Sequence, residues 1–165
     1  MDNDKNSELT VIGRAERIDL PAFNIFKVPA KTDTGADSSA IWGSNIKETA
    51  EGLEFTLFGP ESEFYTGEKL VFGSEDFDVT RVANSFGDRE LRYKIKLTVR
   101  VKRRLVKGSF TLADRSLKTY PILLGRKLLS GKFVVDVKAG QPLRKEERQK
   151  RQQLEEDLKE MGGMG

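Results

Sequence analysis

The sequence predicts a small, mainly β domain followed by a charged helix. Three observations carry that expectation. Short apolar runs are cut by Gly, Pro and Asn/Asp/Ser clusters from Leu9 to about Val137. One long stretch alternates strictly between apolar and polar residues, and the composition changes abruptly after Gly140. The chain accordingly divides into a tail at residues 1–8, a β domain at 9–140 and a helical segment at 141–165.

Residues 1–8 are polar and acidic and are expected to be disordered. Strands are expected at Thr10–Ile12, Phe26–Thr32, Leu53–Phe58, Leu70–Phe72, Phe77–Ala83, Leu91–Lys102, Gly108–Ala113 and Phe133–Val137, each bounded by turn-forming residues. Leu91–Lys102 is the clearest. Leu91, Tyr93, Ile95, Leu97, Val99 and Val101 alternate with Arg92, Lys94, Lys96, Thr98, Arg100 and Lys102, giving one buried and one wet face. Past Gly140, Pro142 suits the first position of a helix running over Arg144–Glu160. Its charges are mixed and its apolar anchors sparse (Leu143, Leu154, Leu158 and Met161), which describes an exposed or loosely docked helix with a flexible Gly162–Gly165 end. No site is assigned to it.

Composition narrows the chemistry. With 37% hydrophobic and 33% charged residues, the chain has enough apolar content for one modest core in a well-charged surface. It contains no Cys and no His, which removes disulfides, thiol nucleophiles, Ser–His and Cys–His pairs, and conventional zinc sites. Acid–base chemistry near neutral pH is left to carboxylates, Lys or Tyr. The net charge of +3 is low for a dedicated nucleic-acid binder. The N-terminus has no apolar signal-like run and no stretch of about 18 apolar residues occurs, so the expectation is a soluble cytoplasmic protein with no membrane association.

No acidic residue interrupts Arg92–Lys107, whose cations include Arg103, Arg104 and Lys107. Such a stripe suits phosphate tracking. A solvated strand face, whose lysines also discourage edge-to-edge pairing, accounts for it as well. The single interleaved aromatic, Tyr93, falls on the apolar face, so the solvated reading is preferred.

Two segments depart from an ordinary β domain. In Lys31-Thr32-Asp33-Thr34-Gly35-Ala36-Asp37-Ser38 an Asp stands at a strand end, Gly35 allows a tight turn that a Cβ would obstruct, and Thr34 and Ser38 can hold the loop by side-chain to backbone hydrogen bonds. In Tyr120-Pro121-Ile122-Leu123-Leu124-Gly125-Arg126 an apolar run ends at Gly and leads into a short helical pattern. Together, in this order and about 90 residues apart, they resemble the retropepsin-like aspartic proteases: a catalytic Asp-Thr-Gly-Ala loop and an apolar-apolar-Gly-Arg segment that begins a helix. The stretches Ile12-Gly13-Arg14 to Leu20-Pro21, Asn84-Ser85 to Arg92-Tyr93 and Thr111-Leu112 to Arg126 extend the resemblance over roughly residues 11–137. They are similar to a bacterial and archaeal branch often labelled ATP-dependent zinc proteases and associated with ATP-grasp peptide ligases. Where that branch commonly has Ser-Ala-Leu-His, this chain has Ser39-Ala40-Ile41-Trp42. With neither His nor Cys, the zinc reading is rejected: no metal and no cofactor are expected.

The resemblance implies a small closed β-barrel and a metal-independent aspartic endopeptidase. Since the chain carries one Asp-Thr-Gly, it also implies a homodimer in which Asp33 meets its twin across a two-fold axis. Two such carboxylates share a proton; one activates a water and the other polarises the scissile carbonyl. On the same basis Asp33, Thr34 and Gly35 are the catalytic set. Ala36, Asp37, Gly125 and Arg126 brace the loop, Asp37 pairing with Arg126 in largely buried surroundings; two unrelated surface charges are the alternative.

Lys31, by strand parity, faces the side of Asp33, and a cation there can receive an acidic group. With Arg92, Arg115 and Arg126 it suggests a preference for Glu- or Asp-rich peptides or tails, although arginines that cap turns would look the same. Asn84–Asp88, with Phe86 near its tip, is a candidate flap or an ordinary hairpin loop. Trp42 suits a substrate pocket or core and dimer packing. Two other functions remain open. One is a non-catalytic or differently catalytic module of the same fold partnering an ATP-grasp ligase; the other is a nucleic-acid-binding β domain.

Overall fold

The computed structural model describes residues 8–83 and 86–162. Expectations that fall on residues 1–7, on Asn84 and Ser85, and on residues 163–165 lie outside them. The elements in chain order are β1 (Thr10–Ile12), β2 (Ala15–Leu20), β3 (Ile25–Thr32), β4 (Ser39–Thr49), β5 (Gly52–Leu57), β6 (Leu70–Phe72), β7 (Phe77–Ala83), β8 (Arg89–Val101), β9 (Arg104–Ala113), β10 (Ile122–Leu124), α1 (Arg126–Leu129), β11 (Phe133–Val135) and α2 (Arg144–Gly162).

The main sheet closes on itself. Strands run in the order β10-β3-β2-β8-β9-β4, and β4 pairs again with β10. The mainly β fold is therefore a small closed barrel with a short helix after Gly125. β5 and β6 extend from β4, β7 extends from β8, and β1 and β11 form a separate parallel pair. Alternation along each strand sends one set of side chains inward, where Ile18, Val28, Ile95, Phe110, Ile122 and Leu124 are fully buried. Each such side chain contributes about 1.5–3 kcal/mol of burial energy. Trp42 belongs to this core, with its ring against Gly59.

β8 follows its alternation closely: Ile95, Leu97, Val99 and Val101 are buried, whereas Leu91 is exposed beyond the barrel. The strand has partners on both sides, β9 on one and β7 then β2 on the other. Its lysines therefore do not protect a free edge. Several cations of the basic stripe have acidic neighbours: Arg92 with Glu90, Arg100 with Asp19, and Lys102, just past the strand, with the buried Glu16.

Three strands lie outside those the sequence predicts. In β2, Glu16 sits among buried residues at 2% exposure, its carboxylate accepting from Gly13 N at 2.8 Å and lying 3.4 Å from Lys102. A buried, satisfied carboxylate breaks the alternation that would mark the strand. In β4, Gly43, Ser44 and Asn45 read as a loop, and there the strand bulges, with Asn45 at φ 51°. β10 falls inside the apolar run that ends at Gly125, which reads from sequence only as the lead into a helix. No described helix is long and apolar enough to cross a membrane.

Candidate active site

The site is built where β10 lies between β3 and β4. β10 runs parallel to β3 (Leu124 opposite Thr32) and antiparallel to β4 (Ile122 opposite Ile41). The loop at residues 33–38 joins β3 to β4 and must cross the end of β10. Backbone hydrogen bonds fix that crossing: Asp33 N donates to Leu124 O at 2.8 Å, Arg126 N to Ala36 O at 2.8 Å, and Lys127 N to Asp37 O at 3.1 Å. Gly125 N donates to the Ser39 hydroxyl at 3.0 Å. A Cβ on Gly125 would stand 2.5 Å from Ser38 O and 3.0 Å from Ala36 O, so only glycine lets the two segments approach this closely.

Asp33 is half-buried at the start of this loop, and its Oδ1 accepts from Gly35 N at 3.0 Å. That bond orients the carboxylate against its own turn. A Cβ on Gly35 would meet Asp33 Oδ1 at 3.3 Å, a tight contact rather than a clash, so the expected obstruction is milder than the motif suggests. Thr34 and Gly35 are exposed. Thr32, the last residue of β3, anchors the loop from below through its hydroxyl, which donates to Gly13 O at 2.8 Å.

Arg126 ties the loop to α1. Its guanidinium donates to Thr34 O at 3.0 Å and to Asp37 Oδ1 at 2.7 Å. The pair forms, but not in the buried setting expected of it: the side chains are 51% and 67% exposed. Water reaches both charges because the loop lies on the barrel's outer surface. In the single chain this pair is worth about 0–1 kcal/mol, not the several of a buried one.

The other expected residues divide. Arg115, half-buried, donates from Nε to Tyr120 O at 2.9 Å. Burial and the charge of Arg92 push its pKa down, and the charge of Asp33 acts in the opposite sense. Arg92 and Asp33 are therefore both within electrostatic reach of Arg115. Lys31 is exposed and lines a cavity of about 520 Å³ together with Arg14, Arg115 and Tyr120. Arg92 is engaged with Glu90 at 2.6 Å, and Arg126 with Asp37, so neither is as available as Lys31 or Arg115. Phe86, 87% exposed, stands at the turn between β7 and β8, whose preceding residues Asn84 and Ser85 lie outside the described set.

Residues with no role in the sequence reading complete the cavity. The Glu147 carboxylate of α2 receives both terminal nitrogens of Arg14, at 2.8 and 2.9 Å, and the Tyr120 hydroxyl at 3.0 Å. Tyr120 in turn accepts from Leu143 N at 2.8 Å. These partners, Arg14 first, hold the Glu147 pKa below its ordinary value. The contact joins residues 133 apart in sequence, and no local pattern announces it.

Residues 11–147 match the model of the family described as RimB-like, retropepsin-like aspartic endopeptidase RimB. A probable alpha-L-glutamate ligase of Shewanella pealeana is 30% identical over 129 residues, 76% of this chain. A protein of the same name from Desulfotalea psychrophila is 25% identical over 128 residues. In each case the match spans 28% of the relative's own length. Among solved structures, a Legionella pneumophila protein of unknown function superimposes with a TM-score of 0.61 at 24% identity, covering 81% of this chain and 97% of that one. That likeness concerns the fold alone.

Proposed function

The chain belongs to the RimB-like family of retropepsin-like aspartic endopeptidases, and from that premise we propose that it hydrolyses peptide bonds with an Asp33 dyad assembled across a homodimer in the cytoplasm. The observation that carries this is the presentation of Asp33: a carboxylate oriented by Gly35 N on an outward loop, braced by Gly125 and Arg126. One copy supplies one such carboxylate, and the exposed Thr34-Gly35 surface beside it suits contact with a second copy.

In the dyad one Asp33 is ionised and the other protonated. The ionised carboxylate takes a proton from a bound water as the water oxygen bonds to the scissile carbonyl carbon. The protonated one donates a hydrogen bond to the carbonyl oxygen. The tetrahedral intermediate collapses with cleavage of the C–N bond, and the departing nitrogen receives the proton. Gly35 keeps the approach to the carboxylates open. Thr34 braces the two loops against each other, and Ala36 and Asp37 hold the loop's far side to Arg126.

The substrate on this reading is an acidic, glutamate-rich peptide or protein tail. Lys31 and Arg115 beside the site support it. So does the occurrence of related sequence within ligases named for alpha-L-glutamate, which also supports a functional partnership with an ATP-grasp ligase. The test compares wild type with Asp33→Asn on matched poly-Glu and poly-Lys peptides across pH. Cleavage of the acidic peptide that Asp33→Asn abolishes is expected; cleavage indifferent to that change, or a preference for the basic peptide, contradicts the proposal.

A further inference from the structure

Helix α2 contributes to the cavity beside the Asp33 loop. That cavity is lined by five cations with no ion-pair partner among the described residues: Lys31, Arg115, Lys118, Lys150 and Arg151. A sixth, Arg14, is matched by Glu147. One of the five comes from β3, two from the loop between β9 and β10, and two from α2. Lys150 and Arg151 lie beyond residues 11–147, the extent of the family match.

Cations on separate elements do not gather without cause, since each raises the cost of holding the next. Here the gathering is enforced by contacts. Glu147 seats the first turns of α2 on Arg14 and Tyr120, and the Lys150 ammonium donates to Leu117 O, bringing that charge over the loop that carries Arg115 and Lys118. Desolvation and those two neighbouring charges push the Lys150 pKa down, as expected of a cation held among cations. The single carboxylate lining the cavity is already fully engaged, so the remaining field is open to an external anion.

We propose that this cavity is an extended carboxylate-binding subsite in which α2, through Lys150 and Arg151, grips acidic side chains of the substrate flanking the bond cleaved at Asp33. The proposal rests on the aspartic-peptidase reading for its substrate and adds the helix as a specificity element. Acidic peptide is favoured over nucleic acid because the one aromatic side chain lining the cavity, Tyr120, is buried and offers no stacking face. Lys31 also connects the cavity to the strand that delivers Asp33.

The test measures binding rather than cleavage. A fluorescein-labelled deca-glutamate peptide is titrated by anisotropy into the full chain carrying Asp33→Asn, which cannot turn it over. Lys150→Ala/Arg151→Ala in that background is expected to weaken binding about ten-fold, the combined worth of two water-exposed ion pairs with the peptide. Lys96→Ala/Lys107→Ala, which lowers the net charge equally from exposed positions on β8 and β9, is expected to leave it within two-fold. Lys118→Ala provides a check that does not touch the helix and is expected to weaken binding in the same direction. Equal weakening by the two double variants would reduce the effect to net charge and overturn the subsite. Tighter binding of a labelled ten-nucleotide oligouridylate, abolished by Lys150→Ala/Arg151→Ala, would overturn its assignment to peptide. Weaker peptide binding on Lys150→Ala/Arg151→Ala, with no cleavage by the wild type, would leave the subsite standing and contradict the peptidase reading alone.

Discussion

Replacing Glu147 by Gln keeps the shape of one side chain and removes its charge, and α2 depends on that charge. The helix buries none of its own residues. Its hold on the barrel comes from the two Arg14 nitrogens at 2.8 and 2.9 Å, the Tyr120 hydroxyl at 3.0 Å, Leu143 N on that hydroxyl, and the Lys150 hydrogen bond to Leu117 O. The Arg14–Glu147 pair is partly wet, with side chains 37% and 22% exposed, so water screening lowers its worth to about 1–2 kcal/mol. Losing that much reduces the docking equilibrium of the helix by roughly 5–30-fold, while global melting falls by only about 2–4 °C per kcal/mol for a chain of this size. Amide hydrogen exchange over residues 144–151 reads the local effect directly. The pH dependence has a definite sign: because the Glu147 pKa is lowered in the folded chain, the docking energy is complete above the ordinary carboxylate range. It is lost as pH falls through the lowered value. Glu147→Gln should start with weak protection of α2 and lack that acid step. Equal protection of both proteins at every pH would refute the assignment of the helix's anchorage to this carboxylate.

Three other perturbations probe the loop and its surroundings. Gly125→Ala forces a Cβ to 2.5 Å from Ser38 O and should destabilise the chain by about 1–3 kcal/mol in urea unfolding, against no change if the two segments can part freely. Arg126→Ala removes an exposed pair and a bond to Thr34 O, so stability should fall by no more than about 1 kcal/mol while peptidase activity falls far more steeply; parallel losses would make Arg126 a purely structural residue. Phe86→Ala should leave the melting temperature within error, since the ring is 87% exposed, and raise KM for peptide if the β7–β8 turn closes over the cleft; an unchanged KM would reduce it to an ordinary hairpin.

The parts of the molecule legible in sequence are those whose cause is local. β6 and β7 coincide with their expected limits, and the buried positions of β8 follow its alternation, because side-chain period and backbone pleat are one geometry. α2 begins at Arg144 as expected, two residues past Pro142 rather than with Pro142 as its first residue, and continues past Glu160 to Gly162. Asp33, Gly125 and Arg126 stand out because a close loop crossing demands particular residues at fixed offsets. The illegible parts have distant causes. Glu16 hides β2 because its burial is made acceptable by Lys102, far along the chain. The Arg14–Glu147–Tyr120 cluster unites a strand end, a loop and a helix that share no local pattern. The exposure of Asp37 and Arg126 follows from where the barrel surface lies, which the motif does not encode.

The central claim is that Asp33 works only beside its twin, and mixing subunits tests it most directly. Wild type and Asp33→Asn are unfolded together, refolded at equal amounts and fixed total concentration, and assayed on a glutamate-rich peptide. If each active site needs two Asp33 carboxylates, only pairs of wild-type subunits cleave, and activity falls to about a quarter of the all-wild-type value. Activity of about one half, the simple dilution of independent sites, would contradict the dyad.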